Sequence, residues 1–281
     1  IYAYNHFLYI GIIFGVFMNH VIRRHVKLYF QCLKTIISGE TAYRLNFILE
    51  LIMTLLGNIM FPLITILIYA NGQSFPGWTI WQVLLIQGVF TIASGISETF
   101  FEGIFWNSNT CIKEGSLDVV LLKPVNSLFY MAATSVNLYG ISFIIGGLIM
   151  LFISAPHCVS ISLAGILNFI LFGCSGIFVM LGATFIMSAT VFKWVGNSRI
   201  PEIFQSMQQF AKYPITVYPR MIQTISLFVI PVGMISFIPA QALMGQISPA
   251  YYLAIIPCIL FAAFGAGIFQ FMVHLYESAG G

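Results

Sequence analysis

Ile112-Lys-Glu-Gly-Ser-Leu-Asp-Val-Val-Leu-Leu-Lys-Pro-Val125 is a polar island between long apolar runs. It holds Lys113, Glu114, Asp118 and Lys123, four charges in a chain that is only 7% charged. Charges cost several kcal/mol in hydrocarbon, so the stretch belongs in water between two membrane spans. Gly115 and Pro124 punctuate it, and Ser116 with Asp118 can cap a short helix over 119–122. A short helix held at the cytoplasmic membrane surface is what a membrane subunit needs to receive force from a soluble partner.

The composition agrees. Hydrophobic residues make up 59% of the chain and aromatics 16%, where a water-soluble chain carries roughly 25% charged residues. The class is an all-α integral membrane protein. No break in composition divides 21–281, which reads as one transmembrane domain after an N-terminal extension at 1–20. Cys32, Cys111, Cys158, Cys174 and Cys258 lie far apart, with neither CxxC nor Cys/His ligand spacing, so they read as small apolar residues. The net charge of +3 is confined to particular loops and gives no nucleic-acid signature.

Residues 21–44 intersperse Arg23, Arg24, Lys27, Lys34 and Arg44 with Val26, Leu28, Phe30, Leu33 and Ile37, the pattern of a basic amphipathic helix lying in the membrane interface and ended by Gly39. Spans are expected at about 45–69, 79–105, 128–154, 161–190, 221–245 and 253–275. Pro62 is expected to kink the first. The fifth carries Pro231 and Pro239, each without a backbone donor, and is expected to be bent or re-entrant. Residues 192–220 form a second polar belt, with a surface helix from Pro201 to Lys212. With six spans counted from Leu45, all 11 basic residues fall on one side. The positive-inside rule then places both termini in the cytoplasm of a multi-pass cell-membrane protein.

Carboxylates within spans are candidates for a translocation path. Glu50 lies one turn inside the first span, where it also reads as an interfacial carboxylate near Arg44. Glu98 and Glu102, four residues apart, share one helical face near the inner end of the second. Such a pair can bind a cation, shuttle protons or simply meet a basic neighbour at the interface. Gly173-Cys-Ser-Gly176 with His274 has the residue types of an intramembrane serine protease. However, Ser175 lies about 14 residues in from the outer face, roughly 20 Å, and His274 about 21, roughly 32 Å. That depth mismatch exceeds hydrogen-bond reach, and small residues at this spacing read as a helix-packing seam. The chain has no HExxH, no EExxxR and no GxxxxGK[ST], so it carries no site of its own for ATP hydrolysis of that kind, and no catalytic, cofactor or metal residue is assigned. The interior is apolar and aromatic with scattered Ser, Thr, Asn and Gln, which suits an amphipathic or lipid-like substrate.

The stretch 112–125 resembles the I-x-x-G-x-L-D-x-x-L-x-K-P signature of permease subunits of type-2 ABC exporters, in particular the branch in which two related permeases are paired. Tyr43-Arg-Leu-Asn-Phe47, Tyr213-Pro-Ile-Thr-Val-Tyr-Pro219, Ile230-Pro231, Ile238-Pro-Ala240 and the ending Tyr276-Glu-Ser-Ala-Gly-Gly281 follow in the same order. The resemblance covers about residues 24–281. It implies an elbow helix, six spans and a pair of permease subunits, homodimeric or paired paralogues, each docked on a cytoplasmic ATPase that binds ATP and Mg. Lys113, Glu114, Gly115, Leu117, Asp118, Leu121, Leu122, Lys123 and Pro124 would form the coupling element. Leu117, Leu121 and Leu122 would supply its apolar contact. Glu50, Glu98, Glu102, Pro231 and Pro239 are the candidates for the path or an interface. A membrane scaffold, a polytopic enzyme and an ion-gradient-driven carrier are the alternative readings.

Overall fold

The computed structural model describes residues 23–159, 162–194 and 199–276. The expected extension at 1–20 lies outside them, as do positions 160–161, 195–198 and 277–281. The described residues are helical and contain no strand. Helix α1 covers 23–42 and runs straight through Gly39, whose α-carbon faces open space. The break falls at Tyr43 instead, and α2 follows over Arg44–Ala70, unbroken through Pro62.

The second crossing is longer than its hydropathy indicates. It joins α3 (Ile80–Ser97), a π turn (Glu98–Glu102) and α4 (Gly103–Lys113). Its 34 residues span about 51 Å at 1.5 Å per residue, against about 30 Å of hydrocarbon. The surplus projects beyond the bilayer as the last turns of α4. Those turns carry the polar run Asn107-Ser-Asn-Thr110, and they stay helical because Ile104, Phe105, Ser108 and Ile112 bury one face. Thr79 and Gln82 close a capping box at the other end.

The expected third span, 128–154, divides in two. Helix α6 (Ser127–Thr134) ends, residues 135–139 turn, and α7 (Gly140–Cys158) crosses. The cause is the π turn alongside. A π turn widens the i to i+4 ladder by one residue. The Thr99 carbonyl there accepts the Asn137 backbone N–H at 2.9 Å. Asn137 Oδ1 in turn accepts the Tyr139 N–H at 3.0 Å and restarts the helix. Helices α3 and α7 then meet backbone to backbone along Gly88 and Gly95 on one and Gly147 and Gly140 on the other. Helix α8 (Leu163–Val191) returns, capped by Ser162, and packs its Gly182 against Gly265 of α13 (Ile255–His274).

Two buried clusters mark the ends of the bundle. One gathers Ala211, Ile215 and Phe237 with Trp78 and Val159. The other gathers Ile112, Leu117, Val120 and Met131 with Ile200, Phe204 and Tyr276. They are called here the Trp78 end and the Leu117 end.

The fifth element is bent as expected, and these clusters place the polar segment before it along the bundle. Helix α9 (Arg199–Gln209) is not a surface helix. It starts at the Leu117 end, where Ile200 and Phe204 pack. Its continuation over 210–212 reaches the Trp78 end, where the Tyr213 ring lies 5.3 Å from that of Phe75 and Trp78 Nε1 donates to Thr216 Oγ1 at 2.8 Å. The segment is polar and therefore shows no hydropathy peak, yet it runs from one end of the bundle to the other. Burial raises the Tyr213 and Tyr218 hydroxyls above their ordinary values.

The apolar run 221–245 enters and leaves at one end. Helix α10 (Arg220–Thr224), lengthened by a π turn to Val229, meets the segment Val232–Leu243 at a bend of 77°. The vertex, with Ile230, Val232 and Ile235, reaches Val179, Met180 and Ala183 in the middle of α8. Helix α11 (Phe237–Leu243) then climbs back to Trp78 and to Gly165. Pro231 sits at the bend. Pro239 lies in the first turn of α11, where no helical donor is needed, and bends nothing. Helix α12 (Ala250–Leu253) leads into α13, the last crossing.

Six passes along the bundle remain, but Arg220 stands at the Trp78 end and the Lys212 ammonium below it, leaving the other nine of the 11 basic residues at the Leu117 end. In a background without native cysteines, a cysteine at Val217 is expected to react with an impermeant reagent from the same side as one at Gln73, and one at Val119 from the opposite side. Labelling of Val217 and Val119 from one side would return 213–218 to the belt expected from the sequence.

Candidate coupling surface and membrane path

The stretch 112–125 folds as a helix end, a turn and a short helix. Glu114 closes α4, and Gly115 takes the left-handed conformation at φ +66°. Ser116 N–H donates to Cys111 O at 2.9 Å and Gly115 N–H to Ile112 O at 3.3 Å. Those two bonds make a Schellman turn, for which glycine is the natural residue. Helix α5 covers Leu117–Leu121, two residues earlier than expected, and Ser116 is itself helical and makes no side-chain cap.

The five-residue helix is held by one face and offers the other. Leu117 is fully buried and Val120 nearly so, both in the cluster at this end. Leu117 therefore cannot supply the external contact expected of it. The outward face is Val119, Leu121 and Leu122, with Leu122 84% exposed. Val119 was not singled out from sequence, although its place three residues before Leu122 puts both on one side of a helix. Lys113, Glu114 and Pro124 are exposed around it, and Asp118 is half-buried. The Lys123 ammonium lies 4.8 Å from the centre of the Tyr130 ring. Beside it Arg24, Lys27 and Gln31 of α1 line a groove shared with Lys123 and Pro124. The elbow helix and the loop thus form one basic, apolar-tipped surface.

The carboxylates stand higher, around the turn at 135–139. Asn137 Nδ2 donates to Glu98 Oε1 at 2.9 Å, and Gln205 Nε2 of α9 reaches Glu102 Oε1 at 3.4 Å. Tyr139 Oη donates to Glu40 Oε2 at 2.9 Å, with Glu50 beside the same hydroxyl. Glu50 thus meets Tyr139, and the pair Glu98 and Glu102 meets the amides of Asn137 and Gln205. Among the described residues no cluster of His, Cys, Asp or Glu has the makings of a metal site. Ser175 Oγ donates to Leu171 O at 3.0 Å in its own helix, and His274 Nδ1 lies 2.6 Å from Gln270 O in its own. No protease dyad forms.

The sequence reading missed the polar face of α9. Glu202, Gln205, Ser206 and Gln209 recur at i, i+3, i+4 and i+7, and all four are exposed on this chain. The stripe is visible in the sequence. What hid its meaning was its assignment to the membrane surface. A polar face at membrane depth is stable only against protein or water, because lipid satisfies none of its hydrogen bonds.

Residues 45–280 match a family described as ABC-2 family transporter protein. Neither a curated protein nor a solved structure gave a significant match.

Proposed function

The chain belongs to the ABC-2 family of transporter proteins, and from that premise we propose that it is the membrane-spanning permease subunit of an ATP-driven exporter. As a membrane transport component it fits a non-enzymatic subunit. The family suggests cytoplasmic ABC ATPase partners. In this reading each ATPase binds ATP and Mg and docks on Val119, Leu121, Leu122 and the basic groove at the Leu117 end, which faces the cytoplasm together with both termini. The positive-inside rule favours that orientation, since nine of the 11 basic residues stand there.

The observation that carries the reading is the polar stripe Glu202, Gln205, Ser206 and Gln209 on a segment that crosses the bundle. It asks for a second permease subunit facing it across a hydrated path. Glu98 and Glu102 border that path through the Gln205 contact. An amphipathic substrate would keep its polar part on the stripe. A scaffold has no use for such a face, and a gradient-driven carrier has no use for a docking surface.

The test is transport by the permease reconstituted with its ATPase, comparing the unaltered chain with Gln205→Leu plus Ser206→Leu. The double variant is expected to insert and hold the ATPase while losing at least about tenfold in transport, equivalent to about 1.4 kcal/mol at the barrier. Unchanged transport would take α9 out of the path. Transport that followed an ion gradient and ignored ATP would refute the exporter.

A further inference from the structure

A second polar place lies in the membrane away from α9's stripe. Lys212, only 9% exposed, is wedged between α2 and α3, with its ammonium 3.2 Å from the centre of the Phe61 ring and 5.3 Å from that of Phe90. Phe90 is 10 residues along from Ile80, which sets Lys212 about 15 Å below the Trp78 end. Among the described residues no carboxylate forms an ion pair with it. A lysine at that depth is costly and marks a site of use.

The same side chain lines a cavity of about 120 Å³ together with Asn58, Gln87, Phe61, Phe90 and Phe143. Among the described residues, two of the four buried side-chain polar atoms without a hydrogen-bond partner belong to residues that line this one cavity, Asn58 Nδ2 and Gln87 Oε1. The orientation of the Gln87 amide is fixed by its neighbour. Thr65 Oγ1 donates to Phe61 O at 3.2 Å, so it must accept from Gln87 Nε2, which lies 2.7 Å away. Gln87 Oε1 is therefore left without a hydrogen-bond partner beside the cavity, with Gln87 itself 2% exposed. A buried polar atom without a partner costs about 1–3 kcal/mol. Two of them beside an unpaired ammonium describe a receptor for a group with acceptor oxygens and one hydroxyl.

The cavity opens beside Gly57 and Phe61, on the face of α2 that also exposes Met60 and Ile64. That face is apolar and exposed on this chain. We propose that Lys212, Asn58 and Gln87 form an intramembrane subsite for the anionic headgroup of an amphiphile, a singly protonated phosphate on an alkyl chain, entering sideways from the bilayer. Lys212 and Asn58 donate to its oxygens, Gln87 accepts from its hydroxyl, and Phe61, Phe90 and Phe143 surround the first carbons of the chain. The inference rests on the exporter reading for its purpose, since it names the substrate class. Its test does not, because binding is measured without the ATPase.

The probe is radiolabelled dodecyl phosphate, titrated onto the purified full chain in a neutral maltoside detergent. Saturable binding is expected, with dodecanol a poor competitor. Lys212→Gln is expected to weaken it about tenfold or more, the loss of one charged hydrogen bond, and Lys212→Arg to restore most of it. Should Lys212→Gln aggregate, Asn58→Leu in a monodisperse chain is expected to weaken binding about threefold, as for one neutral hydrogen bond. Equal binding by Lys212→Gln and the unaltered chain, or by dodecanol and dodecyl phosphate, overturns the subsite. Competition by inorganic phosphate as strong as by dodecyl phosphate assigns the cavity to a free anion and overturns the amphiphile. A chain that binds dodecyl phosphate in this way but fails to hold any ATPase would sink the exporter and leave the subsite standing.

Discussion

Gly140→Val is expected to separate α7 from α3 and leave little folded protein. A β-carbon at Gly140 would stand 2.3 Å from Thr99 Oγ1, 2.6 Å from Thr99 N and 2.8 Å from Gly95 O. Two of those three atoms are backbone and cannot swing aside. The contact is mutual, for a β-carbon at Gly95 would meet Ile144 N at 2.7 Å and Gly140 O at 2.9 Å. One stretch further along, Gly147 stands in the same relation to Gly88, 2.7 Å from its carbonyl oxygen. Within a bilayer no hydrophobic force draws helices together, so close packing carries the association. Overfilling a core costs about 1–3 kcal/mol where side chains can yield. Here the expected loss is about 3 kcal/mol or more, because the helix axes must part. The Asn137 bonds to Thr99 and Glu98 lie beside this contact and would be lost with it. The measurement is the fraction of monodisperse protein and its unfolding midpoint in detergent. Gly173→Val is the control, since nothing lies within 4 Å of the position its β-carbon would take. Equal stability of the two variants would show that the glycine seam does not join these helices.

Leu117→Ala and Leu122→Ala are expected to fail in opposite ways, though they lie one and a half turns apart in one short helix. Leu117 is fully buried in the cluster at its end, which also holds Ile112, Val120 and Met131. Its truncation removes buried carbon and leaves a cavity, at about 2–5 kcal/mol of stability. Leu122 is 84% exposed and touches little in this chain. Its truncation is expected to leave the unfolding midpoint unchanged within about 0.5 kcal/mol. If it is an anchor for the ATPase, its loss weakens that association by about 1–3 kcal/mol. The paired measurement is thermal unfolding of the isolated permease beside co-purification of the ATPase at graded concentrations. An ATPase that holds Leu122→Ala as firmly as the unaltered chain would remove the docking role from this helix. A Leu117→Ala variant of full stability would contradict its burial.

The class of the protein was legible in the chain alone. Long apolar runs interrupted by charged loops admit only membrane-spanning helices, because lipid cannot satisfy an open backbone. The glycine and proline punctuation of 112–125 identified a turn and short helix, since only glycine takes the left-handed conformation of Gly115 cheaply. The bend at Pro231 was equally legible, because a missing donor is a local property. Other features were not local. Whether Leu117 or Val119 faces outward depends on which side of a five-residue helix meets the cluster of Met131 and Phe269. The division of 128–154 depends on a π turn that lies nearly 40 residues earlier in the chain.

Which segment runs the length of the bundle after α8 shows the division most sharply. Hydropathy ranked 221–245 above 199–212, and that ranking is correct for single helices facing lipid. It fails where a polar segment can face protein or a shared path. Arg199 to Lys212 runs the length of the bundle because α3 and α8 cover its apolar side, while Phe61 of α2 and Phe90 of α3 receive Lys212 between their rings. The more apolar run folds back because Pro231 breaks it where α8 presents Gly176, whose missing side chain admits the Met234 carbonyl. The sequence by itself determined that this is a helical membrane protein with a polar loop folded as a turn and a short helix. Tertiary structure alone decided which polar face stands in the membrane, because depth is set by what surrounds a segment and not by its own composition.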